Sequence, residues 1–166
     1  MKKILITILV ALLCHGVAPA QIRQVYIGVN GLTCSQCTRN VEMQVRRLPF
    51  VEQVDMNLEH TNGVVTLKAD KPFKPEAIAQ AVRDAGFSVR YLKLGIAPPD
   101  EQTLRSGCIA ACGLTLQLVS DEPVATDSGL LVLQVLGKAF QAGKDETAGA
   151  RRKCPGKLYF VKPAHE

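Results

Sequence analysis

Between Val25 and Leu48 the spacing of apolar residues changes from every second position to every third or fourth, and a Cys-x-x-Cys falls on the change. Val25, Ile27 and Val29 alternate with Tyr26 and Gly28, the period of a strand with one buried face. Asn30-Gly31 breaks it. Val41, Val45 and Leu48 then recur at i, i+4 and i+7, with Glu42, Gln44, Arg46 and Arg47 between them, as in an amphipathic helix ended by Pro49. Cys34 and Cys37 therefore sit on a short loop leading from strand to helix. Cys37 falls in the first turn, where free N–H groups and the positive end of the dipole favour thiolate over thiol. Two ionisable sulfurs on one exposed loop suit a soft metal ion, although a bare Cys-x-x-Cys also serves thiol–disulfide exchange and half of a structural zinc site.

The periodic pattern continues to about residue 95. Val51 to Leu58 reads as a second strand, and Asn62-Gly63 is a hairpin-turn dipeptide leading into a third, Val64 to Lys68, antiparallel to the second. Pro75 suits the first turn of a second helix whose apolar stripe is Ile78, Ala81, Val82 and Ala85. Gly86 stops that helix, and Phe87 to Leu94 is a fourth strand. Strand, helix, strand, strand, helix, strand is the split ferredoxin-like order, an α+β fold with two helices on one face of a four-stranded antiparallel sheet.

Gly31-Leu-Thr-Cys-Ser-Gln-Cys37 after a strand resembles the Gly-Met-Thr-Cys-x-x-Cys loop of heavy-metal-associated domains. These occur in copper chaperones, in the cytosolic repeats of copper-transporting P-type ATPases and in the periplasmic mercury-binding protein. Ala85-Gly86-Phe87 is similar to the family's Ala-Gly-Phe or Ala-Gly-Tyr. The resemblance covers nearly all of residues 21–95 and implies the ferredoxin-like fold there. It implies the thiolates of Cys34 and Cys37 as metal ligands, flanked by Thr33. Leu32 stands where the family usually has Met, packing beneath the loop, and Phe87 matches the aromatic that shields it; the alternative for Phe87 is a plain core residue. Softness points to Cu(I) as the cargo, while Hg(II), Zn(II) and Cd(II) remain open to the same pair. In the family the ion passes between similar loops through shared-ligand intermediates, so a metal exporter or another thiolate carrier is the implied partner.

Met1 to Ala20 carries Lys2 and Lys3, the apolar run Ile4 to Leu13 and Ala18-Pro-Ala20, the three parts of a secretory signal peptide cleaved after Ala20. The run is too short to span a bilayer comfortably, so a periplasmic or secreted chain without stable membrane insertion is expected. A lipoprotein reading of Cys14 meets bulky Leu13 where a small residue is needed. The leader takes two of the 20 basic residues with it, leaving 18 against 15 acidic ones and a formal charge of +3 instead of +5. With no Trp and no basic run interleaved with aromatics, nothing supports nucleic-acid binding. Lys68, Lys71, Lys74 and Arg90 read as a solvated face. No Ser-His-Asp or paired-carboxylate grouping lies close in sequence, so a non-enzymatic binding protein is expected. The competing class is a thiol–disulfide oxidoreductase cycling Cys34 and Cys37, against which stand Thr33 before the pair and Ser35-Gln36 within it, where thioredoxin-like motifs mostly carry Trp and Pro.

Residues 96–113 read as a Pro-Pro linker and a short helix capped by Asp100, and residues 114–166 as a small, mostly β module. Its strands are expected at Leu114 to Leu118, Leu130 to Leu136 and Lys157 to Val161. Five cysteines survive cleavage, so at least one thiol stays outside intramolecular disulfides. For Cys108, Cys112 and Cys154 three arrangements stay open: a disulfide from Cys154 to one of the other two, a second metal site, or unpaired thiols. They are also an internal candidate for receiving the ion. Met43, Met56, His60 and His165 lack ligand-like spacing, and core packing is the expectation for both methionines.

Overall fold

The computed structural model describes residues 21–120, 126–127, 129–141, 147 and 150–164; the expected leader and His165 lie outside the described residues. The alternation around Val25 becomes β1 (Ile22–Asn30), followed by α1 (Ser35–Arg46), β2 (Val51–Asn57), β3 (Asn62–Leu67), α2 (Pro75–Asp84) and β4 (Ser88–Ile96). Beyond these lie α3 (Glu101–Ser106), β5 (Cys108–Ala111), β6 (Leu114–Leu118), β7 (Thr126–Asp127), β8 (Leu130–Val135) and β9 (Leu158–Pro163). The first six elements form the ferredoxin-like βαββαβ unit, with β1 central and antiparallel to both β3 and β4. Val41 and Val45 of α1, and Ile78, Ala79, Ala81 and Val82 of α2, are buried in the same core as Val25, Ile27, Val29, Val65 and Leu92. At about 1.5–3 kcal/mol for each fully buried Val, Leu or Ile side chain, this shared face is the main stabilising term.

Two local expectations are corrected. Asn62-Gly63 is not the turn but the start of β3, since Asn57 pairs with Asn62 and Met56 with Gly63. The chain reverses through residues 58–61, where Asn57 Oδ1 accepts from the His60 N–H at 3.0 Å and Thr61 takes a φ of 50°. Gly63 is required by space: a Cβ there would collide with Met56 Sδ and lie 2.9 Å from the Asp55 carbonyl oxygen. Ile96, expected to begin the linker, is instead the fully buried last residue of β4.

Strand β4 does not end the sheet. β8 pairs antiparallel with it from Lys93↔Gln134 to Ile96↔Leu131, giving one nine-stranded sheet in the order β2-β3-β1-β4-β8-β9-β6-β5, with β7 added on β8. The strand-rich C-terminal part thus continues the first sheet, and Leu131, Leu133, Ile109, Leu116 and Val161 join the same buried cluster as the helices. Asp100 caps α3 as expected, accepting from the Thr103 N–H at 2.8 Å. Cys108 to Ala111, in the segment read as linker and helix, is a strand paired with β6. Cys112 (φ 48°) and Gly113 (φ 76°) form the tight turn between β5 and β6, both in the left-handed region such a two-residue hairpin needs. Among the described residues no helix is long and apolar enough to cross a membrane.

Candidate metal centre

Cys34 is extended (φ −146°, ψ 156°) and is the N-cap of α1. Its Sγ accepts from the Cys37 N–H at 3.2 Å, and its carbonyl accepts from the Thr38 N–H at 3.1 Å and the Thr38 hydroxyl at 3.2 Å. Caps of this kind normally use a Ser, Thr, Asp or Asn oxygen. A sulfur in that position places a thiolate on an orphan N–H at the positive end of the helix dipole, which favours the charged form once the pair is reduced. Here Cys34 and Cys37 are joined as a disulfide, their Cα atoms 5.2 Å apart. Two electrons and two protons convert it to the dithiol, the form whose sulfurs can ligate an ion. Cys34 is exposed and Cys37 half-buried.

The surroundings of the loop follow from the turns that flank it. Gly31 takes a φ of 84°, and a Cβ there would lie 3.7 Å from Phe87 Cδ1, so the half-buried Phe87 ring stands beside the loop. Leu32 is buried in the core beneath it, and Thr33 is exposed. Phe87 reaches this place through the end of α2: the Gly86 N–H bonds to the Arg83 carbonyl at 2.8 Å and the Phe87 N–H to the Val82 carbonyl at 3.1 Å, a Schellman ending with Gly86 at φ 91°. The Ala-Gly-Phe sequence is thus a helix stop that delivers the aromatic. Asn40 Nδ2 donates to the Ala85 carbonyl at 3.1 Å, tying α1 to that turn. Neither the sulfur cap nor Asn40 stands out in the sequence; the spacing of Asn40 one turn beyond Cys37 is the signal that was there to find.

The other cysteines do not join the site. Cys108 and Cys154 form a disulfide, the first of the three arrangements open to these residues. Gln117, buried, holds the same segment by donating to the Arg151 carbonyl at 2.8 Å and accepting from the Lys153 N–H at 2.7 Å. Cys112 is a free thiol whose Sγ accepts from the Ile22 N–H at 3.3 Å. Ile22 opens β1 and the Cys34 loop follows its last residue, about 26 Å away at 3.3 Å per residue. Cys112 therefore lies at the opposite end of β1 from the Cys34 loop. Among the described residues, no group of three His, Cys, Asp or Glu side chains converges. Met56 packs on the core, but Met43, expected inside, is 42% exposed on α1. Lys71 pairs with Asp70 at 3.3 Å, Arg90 donates to the His60 carbonyl at 3.0 Å, and both belong to the solvated surface.

A strand running into a helix N-terminus with two sulfurs at the junction, on a βαββαβ frame, defines a metal-binding module. Residues 27–88 match the family model of the heavy-metal-associated domain, and this part of the chain is a heavy-metal-associated domain. Copper-transporting ATPase 1 of Rhizobium meliloti (strain 1021) is 34% identical over 119 residues, which are 67% of this chain and 14% of the relative. Copper-transporting ATPase 2 of Homo sapiens is 32% identical over 94 residues, 53% of this chain and 6% of the relative. The chain thus spans 14% or less of the length of these two relatives. Among solved structures, oxidized MerP from Ralstonia metallidurans CH34 is 30% identical, with a TM-score of 0.38, covering 40% of this chain and 92% of that one.

Proposed function

We propose that this protein is an exported carrier that takes up a soft metal ion, Cu(I) foremost, through the thiolates of Cys34 and Cys37 and hands it to a partner with thiolates of its own, a metal exporter or another carrier. The observation that carries the reading is the sulfur cap: Cys34 Sγ on the Cys37 N–H at the start of α1 puts both sulfurs where negative charge is favoured and where a partner can reach them. The copper-transporting ATPases among the relatives favour copper, although the donor pair alone would also accept Hg(II), Zn(II) or Cd(II). A storage site closes four ligands around its ion, whereas two sulfurs on a surface loop leave it open to a third. Phe87 beside Gly31 limits access from one side, and Leu32 supports the loop from below.

Export is favoured by the leader-like residues 1–20 and by the Cys108–Cys154 disulfide, a bond that persists in oxidising compartments. The Cys34–Cys37 disulfide gives some support to the oxidoreductase alternative. The loop sequence and the element order favour the carrier. Stopped-flow transfer from the Cu(I)-loaded protein to an apo heavy-metal-associated domain separates hand-over from simple release. Hand-over requires a rate that rises with acceptor concentration; a rate independent of the acceptor would mean that the ion leaves into water first.

A further inference from the structure

Among the described residues, Asn40 ties α1 to the α2–β4 turn through its side chain: its Nδ2 donates to the carbonyl of Ala85, the C-cap residue of α2. After Ala85 the chain turns away through Gly86, and this carbonyl lies past the last helical turn, where carbonyls lose their intrahelical partners. The bond joins the helix that begins at the cysteine pair to the turn that delivers Phe87. Asn40 sits three residues after Cys37 and so on the same side of α1, one turn on. Phe87 follows Ala85 by two residues and stands beside Gly31 at the other side of the loop. A second link, Asn30 Nδ2 to Ser88 Oγ at 3.4 Å, is longer and exposed.

We infer that Asn40 is a positioning residue: by fixing the Ala85-Gly86-Phe87 turn against α1, it sets how closely the Phe87 ring shuts on the Cys34–Cys37 loop, and hence how readily an outside thiol or chelator reaches the sulfurs or their cargo. The cargo half of this inference rests on the carrier reading, but the access half does not, because the sulfurs react with or without a metal. In the oxidised protein, one thiolate of dithiothreitol attacks a sulfur of the pair and breaks the Cys34–Cys37 bond. The second thiolate then closes the reagent to its cyclic disulfide, and the pair leaves with two electrons and takes up two protons from water.

Asn40→Asp is isosteric and lacks the donor, Asn40→Gln keeps it, and Phe87→Ala removes the ring. Reduction by dithiothreitol, alkylation of the reduced pair and Cu(I) loss to a chromophoric chelator are measured on each variant and on the double variant Asn40→Asp/Phe87→Ala. Asn40→Asp should speed the two thiol reactions about threefold to tenfold, the equilibrium factor of one net hydrogen bond, with Asn40→Gln closer to wild type. In the Phe87→Ala background the Asn40→Asp change should add little, because both act through the same ring. Unchanged rates in Asn40→Asp, or effects of Asn40→Asp and Phe87→Ala that simply multiply, would overturn the inference. Should the thiol reactions respond as expected while no variant, nor wild type, holds Cu(I), the carrier reading fails and the positioning role stands.

Discussion

The hydroxyl of Tyr159 on β9 donates to the carboxylate of Glu76 in the first turn of α2 at 2.7 Å, and Lys157 closes on the same carboxylate at 3.0 Å. The last strand of the chain is thereby tied to a helix of the heavy-metal-associated domain. Tyr159 is itself buried, in edge contact with Phe140 at 6.3 Å between centroids. Burial alone raises the Glu76 carboxyl, but the Tyr159 hydroxyl, its own backbone N–H and the Lys157 ammonium outweigh it and hold it below the ordinary 4.5.

Because the folded carboxyl ionises below the unfolded one, its contribution to stability is present above pH 4.5 and is lost as pH falls through the lower, folded value. Glu76→Gln should therefore be less stable than wild type at pH 7, with the gap narrowing as pH drops below 4.5. Urea midpoints measured across that range check it. A gap independent of pH would show that the ion pair contributes nothing beyond its hydrogen bonds.

The Cys108–Cys154 bridge closes a loop of 46 residues, for which the chain-entropy relation gives about 4 kcal/mol. A Cys108→Ser/Cys154→Ser variant should unfold at a clearly lower denaturant concentration and retain wild-type Cu(I) uptake. Loss of uptake with unchanged stability would restore a metal role for these sulfurs.

Gly86 takes a φ of 91° and a Cβ there would meet open space, so the cost of Gly86→Ala is conformational, about 1 kcal/mol. The same change should disturb the Phe87 turn and speed alkylation of the reduced Cys34–Cys37 pair, read by mass spectrometry against time. An unaltered rate would separate the helix stop from access to the loop.

We propose that residues 21–97 fold without the tail, since β1 to β4 and both helices bury Val25, Ile27, Val41, Val45, Ile78 and Val82 in one cluster. They should nevertheless be less stable than the full chain, because Leu94 and Ile96 lose Leu133 and Leu131 across the β4–β8 pairing and β4 becomes a free edge. Calorimetry on the two proteins tests both statements. Absence of a cooperative transition in the shorter one would make residues 98–166 part of the same folding unit.

What the sequence made legible was whatever depends on local period and local turn chemistry. Alternation placed β1 and β6, the Val41–Val45 spacing placed α1, and Pro75 and Gly86 bracketed α2. Pairing is a different matter. Nothing in Leu130–Val135 says that its partner is β4, and a run that is apolar but for Gln134 states only that a strand is covered. The four residues Cys108 to Ala111 are too few to show any period, so β5 was invisible. Asn62-Gly63 misled because a glycine admitted for close approach to Met56 has the same letter as one admitted for a turn. At the metal loop, the cysteines and Phe87 were readable as motifs, but the capping bond of Cys34 and the Asn40–Ala85 link depend on where two helices end in space.

The central claim is that the Cys34–Cys37 pair, once reduced, is the metal site. Competition titration against a chromophoric Cu(I) chelator, on fully reduced wild type and on the Cys34→Ser/Cys37→Ser variant, tests it without reference to partner or compartment. The wild type should withdraw roughly one Cu(I) per chain from the chelator, as expected for a single thiolate pair, and the variant none. Equal withdrawal by the two proteins would contradict the account.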